Sequence, residues 1–252
     1  MHDHPHPPGL AEYIHVPGPL RAKDLVLKLP VGFPPEDATL IPATALAARI
    51  LAAADVPKGG SLLVAGLGLV GQITILLARH QKVERIVAAD PSPTLRRRAE
   101  WSGATRVVRL PEESLADAVE KEVGRRGIDA AVILLPESGL TYEALPGLAV
   151  GGSVIIAVPF GRSFLLTFPA AQLQERDLRI VGVRRFRQGD LSTAIQAMKQ
   201  GVVNAEMLVT KRITWDELPE TEIDEGYWEH GTHVVVEGPP KVEGTGNGGP
   251  GS

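Results

Sequence analysis

Short apolar runs alternate with amphipathic stretches along most of this 252-residue chain. Residues 62–65, 130–135 and 153–158 are almost wholly apolar, the pattern of strands buried on both faces. Residues 85–90, 106–108 and 178–183 read as further strands. Between them, residues 72–80 place Ile73, Leu76 and Leu77 on one helical face, and residues 94–102, 114–125 and 191–200 also read as helices, the last stopped by Gly201. Residues 43–54, dense in Ala, Leu and Ile, predict a buried helix, and residues 140–149 another, stopped by Gly151 and Gly152. This alternation predicts an α/β fold with a parallel sheet covered on both faces and its strand carboxyl ends gathered on one side. Outside this body, residues 11–16 and 25–29 read as short strands and 30–35 as a turn-rich connection. The proline-rich residues 1–9 read as a surface arm, and the glycine-rich 238–252 as a disordered linker.

One junction between strand and helix carries chemistry. Ser61-Leu-Leu-Val-Ala-Gly-Leu-Gly-Leu-Val-Gly71 is followed, nineteen residues after its last glycine, by Asp90 at the end of the next apolar strand. Strand, glycine turn, helix and strand in this order form the dinucleotide fingerprint. Gly66 permits the tight turn, Gly68 a close approach of backbone to a pyrophosphate, and Gly71 the packing of helix on sheet, while unpaired N–H groups at the helix start face the phosphates. Asp90 sits where a ribose hydroxyl needs an acceptor, and its charge repels a 2′-phosphate, which favours NAD over NADP. The basic triplet Arg96-Arg97-Arg98 leaves NADP as the lesser alternative. A methyltransferase-like glycine turn would also place an acid at the end of its second strand.

Composition narrows the chemistry. The chain has no cysteine, which removes disulfides, thiol nucleophiles and thiolate zinc sites together. A net charge of -4 without a basic arm argues against nucleic acid as partner, and the arginine triplet points in three directions on a helix and reads as solvated surface. No apolar run reaches the length of a membrane span and no signal-like segment opens the chain, so the reading is cytoplasmic, without membrane. His2, His4 and His6 read as solvated tail residues rather than metal ligands.

Several phrases taken together resemble a known family: Ala11-Glu-Tyr-Ile-His-Val-Pro17, Leu27-Lys-Leu-Pro-Val-Gly32, the glycine turn from Gly59 to Gly71, Asp90-Pro-Ser-Pro93, Gly103-Ala104, Gly151-Gly-Ser-Val154 and Leu178-Arg-Ile-Val-Gly182. Their order and spacing over most of 11–237 are similar to those of the medium-chain, zinc-type alcohol and polyol dehydrogenases. The resemblance implies a Rossmann-type doubly wound parallel sheet with a small remnant of the GroES-like catalytic domain. It also implies a truncated form that lacks most of the N-terminal catalytic lobe and every zinc ligand, since Leu40-Ile-Pro42 stands where the family's remaining catalytic ligand lies. The domain plan is then an arm and lobe remnant over 1–42, the dinucleotide-binding domain over 43–201, a segment returning to the remnant over 202–237, and a tail over 238–252.

The family's cofactor site maps residue by residue. The resemblance sets Leu69 and Val70 under the pyrophosphate and Asp90 with Pro91 around the adenosine ribose. Leu134, Leu135 and Pro136 with Ile156, Ala157 and Val158 line the slot toward the nicotinamide, Gly182 and Val183 lie near its carboxamide, and Thr44 touches the ring. Zinc-independent hydride transfer needs another acid–base group. Glu137, Arg184 and Arg185 follow strand ends that face the crevice, and His230 and His233 fall in the segment returning to the lobe, where capping the remnant is the competing role. The family also suggests a homodimer edge at residues 153–158 and the apolar Phe164-Leu-Leu-Thr-Phe168, which internal packing would equally explain. Two functions follow. One is an NAD-dependent, zinc-independent oxidoreductase acting on a small alcohol or carbonyl substrate, its pocket built from the reduced N-terminal piece or from a partner chain that supplies a lobe. The other is a non-catalytic NAD(H)-binding sensor or accessory subunit.

Overall fold

The computed structural model describes residues 28–135, 143–158, 168–217 and 233–237. Six parallel strands, β1 (Ser61–Ala65), β2 (Arg85–Asp90), β3 (Arg106–Arg109), β4 (Ile128–Ile133), β5 (Leu148–Ile156) and β6 (Arg179–Gly182), form one sheet in the order β3-β2-β1-β4-β5-β6. Around it run α1 (Pro35–Ala54), α2 (Leu69–His80), α3 (Pro93–Ser102), α4 (Leu115–Val123), α5 (Ala170–Glu175), α6 (Gln188–Lys199) and α7 (Ala205–Leu208). This is the doubly wound, Rossmann-type arrangement, whose strand order reverses between β1 and β4. A separate pair, β7 (Lys211–Thr214) and β8 (Val234–Glu237), is also parallel.

The apolar runs have a direct cause. Leu62 and Val64 of β1 enter one core with Leu40, Ala47 and Ile50 of α1 and Ile73 and Leu77 of α2. Leu63 and Ala65 enter the other, with Leu115 and Val119 of α4 and Leu145. Successive side chains of a strand point to opposite faces, so a strand covered on both sides is apolar at nearly every position, and its few polar side chains, such as Ser61 and Ser153, are hydrogen-bonded. By length and composition α1 would pass as a membrane-crossing helix, but half of its apolar window is buried inside the fold, and it packs against α2 and α6.

Two expectations are corrected. First, the helix expected over 43–54 begins at Pro35, eight residues earlier, and runs through Pro42. Pro42 lacks the N–H that would bond back four residues and disfavours helix at Ile41. The helix passes because Pro35 starts it with a preset φ, and Glu36 and Asp37 complement the dipole at its first turn. Second, Gly151 and Gly152 do not stop a helix: β5 already starts at Leu148 after a 3-10 turn at Leu145–Gly147 and runs through both glycines. There the register slips, with Ile128 opposite Leu148 and Ala130 opposite Ser153. Gly151 takes φ +77°, and a Cβ on Gly152 would lie 2.8 Å from the Ala149 carbonyl oxygen. The pair forms a bulge that only glycine allows.

Of the expected strands outside the body, 11–16 lies outside the described residues, and residues 28–29 of the second form no strand. The tail 238–252 is likewise outside them.

Candidate functional site

The glycine turn joins β1 to α2, and its three glycines answer three different spatial demands. Gly66 has φ +104°, and a Cβ there would lie 2.8 Å from the Leu134 Cβ at the end of β4. A Cβ on Gly71 would be driven against the Gly66 carbonyl oxygen. Both positions are closed. Gly68, the N-cap of α2, has an ordinary φ of -62° and nothing within 4 Å of where its Cβ would be. No side chain caps α2 and no acidic residue occupies its first turn, so the amides of Leu69, Val70 and Gly71 present the positive end of the helix beside that open space.

Asp90 holds the turn from the neighbouring strand. Its Oδ2 accepts the Leu67 N–H at 2.8 Å and its Oδ1 the Ser92 N–H at 2.7 Å, with the residue only 3% exposed. The carboxylate therefore staples the glycine turn to the start of α3. Arg96 closes the other side, where one guanidinium nitrogen donates to the carbonyl oxygens of Asp90 and Pro91, both at 2.7 Å. This corrects the reading of the arginine triplet as plain surface: Arg97 is exposed, while Arg96 and Arg98 are half-buried. Gln72, one turn into α2, adds a third tie. Its amide donates to the Leu67 and Leu95 carbonyls at 2.9 and 3.1 Å and accepts from the Ser102 hydroxyl at 2.8 Å.

Across the crevice, hydrogen bonds set the strand ends side by side. Leu134 N–H donates to Ala65, Ala157 to Ile133 and Val183 to Ile156. Leu134, Leu135, Ile156, Ala157 and Val158 thus lie at the carboxyl ends of β4 and β5, next to the turn, with Gly182 and Val183 at the end of β6. Pro91 is exposed beside Asp90. Thr44 is fully buried in α1, and its hydroxyl donates to the Leu40 carbonyl at 2.8 Å.

Of the acid–base candidates, Glu137 and His230, like Pro136, lie outside the described residues. Arg184 and Arg185 are exposed just beyond β6. His233 lies at the start of β8, half-buried, with Nε2 at 3.3 Å from the Thr39 Oγ1 of α1. The Thr39 hydroxyl donates to the Glu36 carbonyl, so Nε2–H is the donor in this contact. Burial lowers the His233 pKa below 6.5. The same first turn of α1 binds two more distant groups: Glu36 takes both guanidinium arms of Arg212 at 2.8 and 2.9 Å, and Asp37 accepts the Ala205 N–H. The Arg212 hydrogen bonds lower the Glu36 pKa. Residues 159–167, with most of the apolar Phe164–Phe168 stretch, are outside the described residues, while Phe168 packs on the core beneath α4. Strand β5 lies inside the sheet, between β4 and β6, so residues 153–158 cannot join a second sheet edge to edge; β3 and β6 are the outer described strands.

A glycine turn with one open glycine, at the switch point of a doubly wound sheet, defines a domain of the Rossmann class. Residues 70–200, just over half of the chain, match the zinc-binding dehydrogenase family, and the chain belongs to that family. It is 24% identical over 204 residues to sorbitol dehydrogenase 1 of Saccharomyces cerevisiae, covering 79% of this chain and 57% of that protein. It is 26% identical over 223 residues to (R,R)-butanediol dehydrogenase of Bacillus subtilis, covering 87% and 60%. The crystal structure of the Bacillus enzyme shares the fold with a TM-score of 0.74 at 21% identity, over 83% of this chain and 60% of that one. A zinc-binding dehydrogenase of Sinorhizobium meliloti, solved with NADP bound, shares it with a TM-score of 0.70 at 20% identity, over 83% and 61%. The chain thus spans about three-fifths of the length of these relatives.

The family name implies zinc, and the donor set of the described residues does not fit it. The chain has no cysteine, and the described residues hold no group of three or more histidine, aspartate or glutamate side chains able to share an ion. The dinucleotide fits better, because the turn keeps open the one glycine that a pyrophosphate must approach.

Proposed function

We propose that this chain binds NAD(H) at the glycine turn and is a zinc-independent oxidoreductase that moves a hydride between the nicotinamide and a small alcohol or carbonyl compound. The carrying observation is the contrast within the turn: Gly66 and Gly71 are closed by neighbouring atoms, and Gly68 alone faces open space at an uncapped helix start. The Leu69 and Val70 amides would hold the pyrophosphate, Asp90 and Pro91 the adenosine ribose, and Leu134, Leu135, Ile156, Ala157 and Val158 the walls of the slot, with Gly182 and Val183 at its far end. Bound there, the nicotinamide supplies the hydride acceptor or donor.

NAD is favoured over NADP on two grounds. The Asp90 carboxylate ends β2, where its charge would repel a 2′-phosphate. The nearest arginine, Arg96, is turned onto two carbonyls rather than toward a 2′-phosphate. The reading includes a cytoplasmic location and a homodimer; α1 packs in the fold rather than standing free for a membrane, and β6 is one of the two outer described strands along which a second sheet could join. Light scattering of the purified chain tests the dimer.

Calorimetric titration of the chain with NAD and with NADP tests the binding, with saturable heat expected for NAD and weaker binding for NADP. A panel of small alcohols, read by the absorbance of NADH formed, tests the reaction. Failure to bind either dinucleotide overturns the proposal. Binding without turnover makes the chain a nucleotide-binding sensor or an accessory to a partner.

A further inference from the structure

A cavity of about 390 Å³ opens between α2, α3 and α7, and no residue of the glycine turn lines it. Its walls are Leu76, Trp101 and Met207 with neighbours on α7, its charged groups are Arg98 and Glu206, and Gln72 belongs to its lining. Trp101 is 80% exposed and Met207 52% exposed, so two of the largest apolar side chains of the domain stand in water beside the same opening. Exposed large apolar side chains that border one cavity together with charged groups give it both apolar and polar contacts for a ligand.

We propose that this cavity is a second ligand site that takes a small aromatic zwitterion, an aryl ring with adjacent ammonium and carboxylate groups, and that its occupancy is felt at the glycine turn through Gln72. The volume lies toward the small end of ligand pockets, typically about 300–1,000 Å³, which suits a ligand with one or two rings. The indole of Trp101 and the thioether of Met207 both bind aromatic faces and edges favourably. Opposite charges line the same opening. A guanidinium carries five donors, so Arg98 can keep its present partner and still receive a carboxylate, while Glu206 receives the ammonium. Partial burial penalises the Arg98 charge, a cost that an anionic partner offsets. An aromatic carboxylate alone would leave Glu206 opposing it, and an aromatic amine alone would oppose Arg98; the zwitterion satisfies both.

Gln72 gives the link. It is 2% exposed, and its amide is fixed to the carbonyl of Leu67, whose N–H is held by Asp90. A ligand that settles against Gln72 therefore bears on both the turn and the start of α3. Linkage requires the effect to be reciprocal, with nucleotide altering the affinity of the zwitterion by the same factor. This linkage rests on the dinucleotide reading above, whereas the site itself does not.

L-phenylalanine, hydrocinnamate and phenethylamine, titrated calorimetrically into the nucleotide-free full chain, test the site. The expected result is saturable binding of L-phenylalanine and binding of each single-charge analogue weaker by about tenfold or more. Trp101→Ala and Met207→Ala, both at exposed positions whose loss leaves the core intact by thermal melting, each weaken L-phenylalanine by a similar factor. Arg98→Gln weakens L-phenylalanine by about tenfold or more and, with the opposing charge gone, strengthens phenethylamine. No saturable heat from any probe, or wild-type affinity in both the Trp101 and Met207 variants, overturns the site. Equal affinity for all three probes overturns the zwitterion. An NAD titration repeated at saturating L-phenylalanine is expected to shift in Kd, and an unchanged Kd overturns the linkage. A chain that binds L-phenylalanine but no dinucleotide refutes the proposed function and leaves the site standing.

Discussion

Substituting alanine at Gly68 and at Gly71 separates nucleotide binding from folding within one turn of chain. At Gly71 the added methyl meets backbone, the Gly66 carbonyl oxygen and its carbon at 3.0 Å, with Leu134 Cδ1 at 3.5 Å. Backbone cannot rotate aside, so α2 must lift from the turn. Overpacking of this kind costs about 1–3 kcal/mol. For a domain of this size each kcal/mol lowers the melting temperature by roughly 2–4 °C, so Gly71→Ala should melt roughly 2–12 °C lower. At Gly68 the methyl meets nothing, and φ is already ordinary. The reduced freedom of the unfolded chain gains about 0.4–1 kcal/mol. The weaker capping preference of alanine returns a similar amount, leaving stability within about 0.5 kcal/mol of wild type. That methyl, however, stands where the pyrophosphate would approach, and NAD affinity should fall by at least about tenfold, or 1.4 kcal/mol. Thermal melts followed by circular dichroism and calorimetric NAD titrations read the two effects separately. If Gly68→Ala binds NAD as wild type does, the open space at Gly68 is not the phosphate site; if Gly71→Ala melts with wild type, the contact drawn for it is wrong.

Asp90→Asn keeps one acceptor but turns an NH₂ toward the second backbone N–H, so about 1–3 kcal/mol of stability should be lost together with NAD affinity. Weaker NAD binding at unchanged melting temperature would show that Asp90 does not staple the turn. Gln72→Ala strips the partners from two carbonyls and one hydroxyl, and a loss of about 1–3 kcal/mol is expected by chemical denaturation. An unaltered denaturation midpoint would contradict this. Burial lowers the His233 pKa below 6.5, so the unfolded chain takes up the proton first. The stability that depends on neutral His233 is present in full above pH 6.5 and is lost as pH falls from there through the folded-state pKa. Melting temperature against pH should therefore fall more steeply below 6.5 for wild type than for His233→Gln, and parallel curves would refute it.

The β–α alternation, the glycine turn and the position of Asp90 were legible because their signals are local: apolar runs, helical spacing and glycine at fixed offsets all act within a few residues. The apolar run 85–90 coincides with β2 residue for residue. Two boundaries failed where a local rule competed with tertiary packing. Pro42 argues for a helix start, yet the helix continues through it because Leu40 and Ile41, just before it, are held in the core with Thr44 and Ala45 after it. Gly151 and Gly152 argue for a helix stop, yet pairing of β5 with β4 on both sides of the bulge overrides them. Gln72 gave no signal of its own, since a glutamine on an amphipathic helix reads as exposed, and only the fold brings the Leu95 carbonyl and Ser102 to it.

The first turn of α1 shows most clearly why a site can be invisible in sequence while its element is not. Glu36 and Asp37 read as ordinary acidic residues at a helix start, favoured there by the dipole. In the structure they are also acceptors for groups far along the chain: Asp37 for the Ala205 N–H 168 positions away, Glu36 for Arg212 176 positions away, with Thr39 meeting His233 194 positions away. The dipole explains the residue types, and the distant partners explain what they hold. α7, β7 and His233 are thereby tied to the same helix whose middle lies in the core with residues of α2. Thr39 and the fully buried Thr44 are five residues apart on that helix, about 7.5 Å along its axis. Protonation of His233, which would bring a charge into its half-buried contact with Thr39, acts on the C-terminal segment and on α1 at once, so its pH dependence reports the stability of that junction rather than of β8 alone.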